Sequence, residues 1–499
     1  MTIQTSIFSC QGGLNTESPP LSLPTGSLVY CVNFESGLSG GYKRMQGYQA
    51  FDGRSSGTVL AVPGEGPVRG IWFYNDKVHA FRNAVGGATC AMFDSNAGGW
   101  TSRKTGLTAN GTYEFSSYNF TGALSEKKMY GVSGVHKGFE WDGVTWKDIT
   151  TGSVPDKPEH IATHKNHLFY TFGASLQNSG IGTPDTWTLR AGASDIGIGE
   201  SIKGLLSYRG DTLVVYGQNK TMMLYGSSNL NWELKTLSSS GGGIARSQSE
   251  IAGDAFIASE NGLVSLASTQ NFGDFVTAVV SKQIKRLFPG KSALFSLVVR
   301  NKQQVRVYFD NKSVITATVV DGQNGKAIEY TRQILDHQFT CGVSAIDSTG
   351  TEVIFAGAED GFVYKLDTGT SFVGNAYTSA LRLPFNYLNG ISQKKRMRKA
   401  RLELDAPAAF SFNFGIDFNY GATEPANYSS QQAMAGGALY GASEYGSAIY
   451  GGGMSGLCEV NVQGVGQSVS MLVSHTSATD AAWTLNNVIL EYSLIGRQK

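Results

Sequence analysis

The chain has 499 residues, of which 41% are apolar and 11% aromatic, enough for two or three domains with sizeable cores. Forty basic and 39 acidic residues leave a net charge of +1, which argues against a protein that coats nucleic acid in bulk. With 63 glycines, 12 prolines and no long helical pattern, the composition predicts a turn-dense all-β protein.

The cysteines and the first residues bear on the compartment in which the chain folds. The thiols are scattered, odd in number and without a CxxC pair: Cys10, Cys31, Cys90, Cys341 and Cys458. This pattern is typical of folding in a reducing cytoplasm with buried or inert thiols. The opening MTIQTSIFSCQGG predicts no secretory signal, and no stretch reaches the length of a membrane-spanning apolar run.

The N-terminal segment, residues 1–65, predicts a loop followed by two strands. The strands are Leu28–Phe34 and Tyr42–Phe51, on either side of a Gly- and Ser-rich turn at 37–41. We expect this strand pair to join a C-terminal domain, because the two ends of a chain often lie close together.

Residues 203–238 contain four short apolar or alternating runs, separated by three turns. The turns are rich in Gly, Asn and Asp, as in Arg209-Gly210-Asp211 and Gly217–Lys220. Four strands joined in this way form an antiparallel meander. One meander cannot bury both of its faces, so it needs neighbours of the same kind.

A tryptophan recurs along the chain at a period of roughly 40–50 residues, which is typical of β-propeller blades. The four positions are Trp100, Trp146, Trp187 and Trp232. We predict that each opens the fourth strand of one of four consecutive blades, where a large aromatic side chain seals one blade against the next. The alternative is a chance spacing of surface tryptophans.

The sequence therefore predicts a β-propeller at 66–372 with six or seven four-stranded blades, seven being favoured. The blades are expected at about 68–100 with its continuation, 112–149, 158–191, 203–237, 243–280, 294–334 and 339–367. Hairpin turns at Asn261-Gly262 and Asp360-Gly361 mark the fifth and seventh blades. A short helix is expected at 281–288.

Residues 373–499 predict a second β domain, a sandwich-like platform. It contains a stretch at 436–453 that is rich in Gly, Ala, Ser and Tyr, with Tyr440, Tyr445 and Tyr450 five residues apart. Such a stretch cannot bury a core of its own. It is either a mobile loop or an assembly arm ordered by a neighbouring copy or an adaptor protein.

The platform also carries the densest run of positive charge in the chain. Its basic residues are Lys394, Lys395, Arg396, Arg398, Lys399 and Arg401. Strand alternation would place the residues 394, 396 and 398 on one face and 395, 399 and 401 on the other. The run is either an edge strand that its lysines protect from aggregation, or a patch that faces DNA phosphates or an acidic partner.

Motifs for catalysis, cofactors and metals are weak, and we expect neither an enzyme nor a cofactor. Two GxSxG matches, at 37–41 and 53–57, are not followed by a helical pattern, which a nucleophile elbow requires. His160, His164 and His167 could approach a metal only if Lys165-Asn166 turned the chain. Ordinary turn and strand histidines are the alternative.

Three stretches together resemble the tail hub or nozzle proteins of short-tailed bacteriophages. The first is PTGSLVYCVNF at 24–34, followed by GGYKRMQGY at 40–48. The second is DTLVVYGQNKTMMLYGSS at 211–228, followed by GGIARSQSEIAGDAFIASENGLVSLAS at 242–268. The third is VYKLDTG at 363–369, leading through LRLPF to the basic run. The Tyr/Gly-rich stretch has no counterpart in this resemblance.

The resemblance implies a structural virion protein that forms a ring, a homohexamer, below the portal and adaptor. Such a ring would hold tailspikes, fibres or a tail tip, and would retain genomic DNA and pass it without sequence specificity. The implied location is the virion tail, after assembly in the host cytoplasm. The alternative function is a propeller-type protein that binds glycans or degrades polysaccharide.

Overall fold

The computed structural model describes residues 3–123, 126–239, 242–260, 262–266, 279–288, 290–322, 325–388, 390–420, 427–433 and 455–497. The chain is all-β, with a propeller and a two-sheet platform. The N-terminal segment contributes five strands: β1 (Ile3–Ser9), β2 (Tyr30–Val32), β3 (Phe34–Ser36), β4 (Tyr42–Arg44) and β5 (Tyr48–Phe51).

The first four blades are antiparallel four-stranded sheets in simple chain order. Blade 1 comprises β6 (Glu65–Tyr74), β7 (Lys77–Asn83), β8 (Thr89–Asn96) and β9 (Gly99–Thr108). Blade 2 comprises β10 (Glu114–Tyr118), β11 (Lys128–Val132), β12 (Phe139–Trp141) and β13 (Trp146–Asp148). Blade 3 comprises β14 (Ile161–His164), β15 (His167–Phe172), β16 (Ser175–Asn178) and β17 (Ser194–Gly197). Blade 4 comprises β18 (Ile202–Tyr208), β19 (Thr212–Gly217), β20 (Thr221–Tyr225) and β21 (Glu233–Ser238).

The remaining three blades complete the ring. Blade 5 has three strands among the described residues: β22 (Ser249–Ile251), β23 (Asp254–Ser259) and β24 (Gly262–Ser265). Blade 6 comprises β25 (Ala293–Val299), β26 (Gln304–Phe309), β27 (Ser313–Gly322) and β28 (Gly325–Ile334). Blade 7 contains β29 (Phe339–Ile346), β30 (Glu352–Ala358) and β31 (Val363–Leu366). Three short 3₁₀ helices are described, at Pro20–Ser22, Leu189–Ala191 and Lys282–Leu287, the last where a helix was predicted.

Two-residue turns with positive φ at both positions connect the inner strands of blades 1 and 3. Asn75 and Asp76 have φ of 50° and 54°, and Lys165 and Asn166 have φ of 47° and 62°. Such turns match the right-handed twist of the flanking strands, and Asn and Asp tolerate this backbone region better than most residues. The local sequence therefore fixes where these meanders reverse.

Hydrophobic clusters occupy the gaps between consecutive blades all the way round the ring. Each blade shares one cluster with the blade before it and another with the blade after it. The series closes where residues of blade 7 and blade 1 share a cluster. This closure confirms the predicted propeller and gives seven blades. The burial of both faces of each sheet is what a lone meander lacks.

The recurring tryptophans occupy equivalent gaps. Trp100, Trp146, Trp187 and Trp232 each pack against the cluster between their own blade and the preceding one. Trp100 and Trp146 lie at the start of the fourth strands, and Trp232 immediately precedes β21. The prediction is wrong for Trp187, which lies in the connection between β16 and β17, before the fourth strand begins at Ser194.

The fourth strand of blade 7 comes from the other end of the chain. β5 pairs antiparallel with β31, from Tyr48 opposite Leu366 to Phe51 opposite Val363. The expectation that all of the predicted strand Tyr42–Phe51 joins the platform is therefore wrong, because its second half belongs to the propeller. Tyr48 packs among the rings of Phe339, Tyr364 and Phe372, which fixes β5 in blade 7.

The platform is a sandwich of two sheets. Its C-terminal strands are β32 (Tyr377–Arg382), β33 (Gln393–Asp405), β34 (Phe410–Phe418), β35 (Asn427–Ala433), β36 (Ser455–Asn461), β37 (Val465–Gly466), β38 (Val469–Ser477) and β39 (Thr484–Arg497). A seven-stranded sheet has the order β3-β4-β39-β33-β36, with β1 on β39 and β37 on β33. A five-stranded sheet has the order β2-β32-β38-β34-β35. The core between the two sheets is continuous with the cluster between blades 5 and 6.

Candidate functional site: the platform face and its junction with the propeller

The basic run lies on a central strand of the platform, not on an edge. Within β33, Lys399 and Arg401 pair with β39 on one side and with β36 on the other. The edge-strand interpretation is therefore wrong, since both sides of the strand are hydrogen-bonded. A lysine on a central strand does not act by blocking edge-to-edge pairing.

A β-bulge changes which faces the basic side chains occupy. The pairing with β39 shifts between Met397 and Lys399, so Arg398 has no partner there. An extra residue of this kind resets the alternation of a strand. Lys399 and Arg401 consequently alternate with the buried Ala400 and point outward, together with the exposed residues at 394, 396 and 398. The predicted division between two faces is wrong for positions 399 and 401.

Lys395 is the basic residue that lies on the inner side. Its Nζ donates to the carbonyl oxygens of Gly390 and, at 2.9 Å, Gln467. The side chain is buried, and burial lowers its pKa. Lys395 therefore anchors a loop and does not belong to a patch that faces DNA or a partner.

The charge on the outward side of β33 is uneven. Glu459 accepts from Lys399 at 3.1 Å and from Arg401 at 2.7 Å, and Glu491 lies 2.6 Å from Arg401. These acidic partners neutralise one end of the run.

The other end keeps its positive charge. Arg398 donates to the hydroxyl of Ser493 at 3.0 Å. Within the described part of the chain, no ion pair involves Arg398, Lys394 or Arg396. Positive charge is therefore concentrated at the N-terminal end of β33.

Apolar side chains surround these charges. We call the outward side of the seven-stranded sheet the outer platform face. Ile3 is 53% exposed, Ile7 64%, Leu457 60% and Val465 45%. The strand register places Ile7 opposite Ile489 and Val465 opposite Arg396, which puts apolar and basic groups on one surface.

The predicted arm lies outside the described residues. Tyr440, Tyr445 and Tyr450, and the whole of 436–453, belong to the chain between β35 and β36. β35 is the last strand of the five-stranded sheet, and β36 is the last strand of the seven-stranded one. The described strands before and after this segment therefore belong to different sheets of the sandwich.

A buried ionic cluster joins the platform to the propeller. Arg306 on β26 donates to Glu35 of β3 at 2.9 Å and to Asp367, just after β31, at 2.9 Å. Lys302 contacts the same two carboxylates, each at 2.9 Å. The cluster therefore connects blade 6, the end of blade 7 and the platform.

The charges in this cluster stabilise one another. Burial alone would lower the pKa of Arg306, but the carboxylates of Asp367 and Glu35 outweigh it and raise that pKa. Burial would likewise raise the pKa of Asp367, but Arg306 and Lys302 hold it well below its ordinary value. Arg306, Lys302 and Asp367 therefore stay ionised at neutral pH.

The sequence analysis missed this cluster, although one signal was available. Arg306 interrupts the otherwise largely apolar strand Gln304–Phe309, and its side chain is fully buried. A charge on a buried strand requires a partner. The partner Glu35 lies 271 residues away in the chain, so no local pattern indicates the pair.

The three clustered histidines do not converge. The Nδ1 atoms of His160, His164 and His167 lie within hydrogen-bonding distance of Glu114, Ser207 and the carbonyl of Ser179. Although Lys165-Asn166 does turn the chain, each ring has its own partner. Among the described residues, no group of three or more His, Cys, Asp or Glu side chains is arranged to hold a metal ion.

Cavities are present in the propeller and at the junction. The inner strands enclose a channel of about 970 Å³, whose wall includes Arg246, Arg300, Glu114 and Glu250. A polar cleft of about 790 Å³ lies beside the ionic cluster, and one of about 430 Å³ lies on blade 3.

Within the described residues, no helix is both long and apolar enough to cross a membrane.

Comparisons with known proteins add little to this description. No protein-family model matches the chain, and no curated protein sequence matches it. The structure of U3-55K is 10% identical, covers 64% of this chain and 99% of that one, and has a TM-score of 0.45. The WD40 repeats of RRP9 are 10% identical with the same coverage and a TM-score of 0.43. The WD40 domain of Toxoplasma gondii coronin is 11% identical, covers 68% of this chain and 86% of that one, and has a TM-score of 0.42. The fold assignment therefore rests on the closed ring of seven blades itself.

Proposed function

We propose that the protein is a structural subunit of a short-tailed phage tail, a hub or nozzle that assembles into a homohexameric ring. The observation that carries this proposal is the outer platform face, where exposed apolar side chains adjoin Lys394, Arg396 and Arg398, which form no ion pair with any described residue. A surface of this composition favours contact with another macromolecule over free exposure to water.

The strand β1 strengthens the case for an assembly surface. It pairs with β39 on one side, and no strand among the described residues pairs with its other side. Ile3 and Ile7 project from this strand and are largely exposed. An open edge beside apolar side chains invites pairing with another chain, and it is covered when subunits associate.

The positive charges indicate what a partner would offer. Lys394, Arg396 and Arg398 would complement carboxylates on the head-to-tail adaptor or phosphates of DNA that passes along the ring axis. Three charges can guide a DNA strand without a strong grip, since each phosphate contact adds only modestly to affinity at physiological salt. The adaptor and the DNA therefore remain the two expected partners of this face.

The junction supports the same function mechanically. The shared core and the buried ionic cluster connect the propeller directly to the platform. A subunit of this kind can bind its ring neighbours through the platform and present the propeller to tailspikes, fibres or a tail tip. The proposed location is the virion tail, with assembly in the host cytoplasm.

Deletion of 436–453 tests the assembly role of the platform. The variant is expected to fold, with the circular dichroism and thermal transition of the full chain, but not to join tails in a reconstitution followed by electron microscopy. Incorporation into tails at the yield of the unaltered protein would contradict the role of the arm.

Charge reversal tests the outer platform face. The triple variant K394E/R396E/R398E is expected to lose ring formation or adaptor binding, measured by light scattering and co-sedimentation. The matched control reverses three exposed propeller lysines, Lys127, Lys157 and Lys235, and should assemble normally. Equal behaviour of the two triple variants would overturn the assignment of this face.

A further inference from the structure

A separate cleft lies on the outer strands of blade 3. Its volume is about 430 Å³, and its walls come from β16, β17, the connection between them and the loop that leaves blade 2. This is within the range of pockets that hold small ligands. The residues that matter for its chemistry are Ser153, Gln177, Asn178, Trp187, Ser194 and Asp195.

Trp187 provides a fixed aromatic surface in this cleft. One face of its indole stacks on the fully buried Tyr170, with ring centroids 5.0 Å apart and an interplanar angle of 19°. Its Nε1 donates to the carbonyl of Pro184 at 3.0 Å. The ring is therefore held in place, and the side away from Tyr170 is available to the cleft that it lines.

Planar polar groups lie beside this ring and hold one another in position. The amide nitrogen of Gln177 donates to Asp195 at 3.3 Å, and its oxygen accepts from the hydroxyl of Ser153 at 3.0 Å. The hydroxyl of Ser175 donates to Asp195 at 2.6 Å. Asp195 remains exposed, and a carboxylate has about four lone-pair sites, so it can accept further hydrogen bonds.

We propose that this cleft binds an uncharged pyranose unit of an oligosaccharide. A pyranose presents an apolar C–H face, which packs on an indole, and an edge of hydroxyl groups, which pairs with carboxylate and amide groups. None of the described residues that line the cleft carries a positive charge, so a phosphorylated ligand would face Asp195 without compensation. The proposal does not rest on ring assembly.

Titration of the full-length protein with neutral oligosaccharides tests this site. The panel contains glucose, galactose, mannose, rhamnose and N-acetylhexosamine units, and binding is followed by calorimetry and tryptophan fluorescence. At least one member is expected to bind, and D195A and W187F are each expected to weaken that binding by about tenfold. D185A is the matched control, because Asp185 lies in the same connection outside the cleft and pairs with Lys147.

Three results would overturn the proposal. The first is that no member of the panel binds at millimolar concentration. The second is that D195A leaves saccharide binding unchanged. The third is that nucleosides or nucleotides bind in preference to saccharides. Thermal unfolding of each variant separates loss of the site from loss of the fold. W187F keeps an aromatic ring over Tyr170 and so preserves the packing beneath the cleft.

Discussion

Glu35 of the platform and Arg306 of the sixth blade form an ion pair at 2.9 Å, with both side chains almost completely buried. Two charges buried together cost desolvation energy, which their attraction offsets only when the geometry and the surrounding hydrogen bonds are good. Here Gln333 also donates to Glu35, and Gln304 accepts from Arg306. The pair therefore fixes one arrangement of propeller and platform.

Replacement of Arg306 by Met should lower the free energy of unfolding by about 3–5 kcal/mol, because among the described residues it leaves only Lys302 to pair with two buried carboxylates. Urea unfolding measures this change. Arg300→Met, at an exposed position of the same blade, should change the value by less than about 0.5 kcal/mol. Equal effects of the two substitutions would contradict the role of the cluster.

Stability should fall as the pH drops from about 6.5 towards 4, because two buried histidines must become charged. Burial lowers the pKa of His79 and of His164 to about 4. Asp94 opposes the shift at His79, while Lys77 and Arg103 add to it. A group with a lowered folded-state pKa contributes its stability fully above its unfolded pKa and loses it as the pH falls to the folded value.

His79→Phe tests this pH dependence, because neither ring nitrogen of His79 has a hydrogen-bond partner among the described residues. Between pH 6.5 and 4.5 the substitution should reduce the slope of unfolding free energy against pH by up to about 1.4 kcal/mol per pH unit. Above pH 7.5 the slope should be unchanged. The same slope in both proteins at low pH would show that His79 is not a source of the acid sensitivity.

Gly47→Ala should lower the free energy of unfolding by at least about 2 kcal/mol, because a Cβ there would lie 2.0 Å from the carbonyl oxygen of Ser371. Gly197→Ala, on an exposed strand where a Cβ would meet nothing within 4 Å, should be tolerated. Thermal unfolding compares the two. If Gly47→Ala matched Gly197→Ala in stability, the close approach beside β5 would not constrain the fold.

Lys395→Met should lower the free energy of unfolding by about 1–3 kcal/mol, since it leaves the carbonyl oxygens of Gly390 and Gln467 without their buried donor. Lys394→Met, at the exposed neighbouring position, should have almost no effect on stability. Chemical unfolding of the two variants distinguishes an anchoring lysine from a surface lysine. A larger effect at 394 than at 395 would reverse this assignment.

The blades could be predicted from the sequence because each is a local meander. Turns such as Lys165-Asn166 determine the strand reversals, and the recurring tryptophans occupy equivalent gaps between blades. Closure of the ring is not local. The short strand Tyr48–Phe51 could pair in either domain, and only the packing of Tyr48 in blade 7 decides between them.

The candidate site was less predictable for similar reasons. Its basic residues were identified, but their faces were assigned on the assumption of a regular strand, and nothing in the run marks the bulge at Arg398. The ionic cluster depends on residues from three separate parts of the chain. The position of Arg306 in a largely apolar strand indicates that it needs a buried partner. Only the tertiary fold brings Glu35 and Asp367 to it.

The pairing of β5 with β31 also sets an order of events during synthesis. About 310 residues separate Phe51 from its partner Val363, and at translation rates of about 5–20 residues per second they take roughly 15–60 s to emerge. During that interval the N-terminal strand has no partner, while the earlier blades can already collapse. We therefore expect the nascent chain to expose this strand until the last blade leaves the ribosome, so that its folding yield depends on chaperone supply.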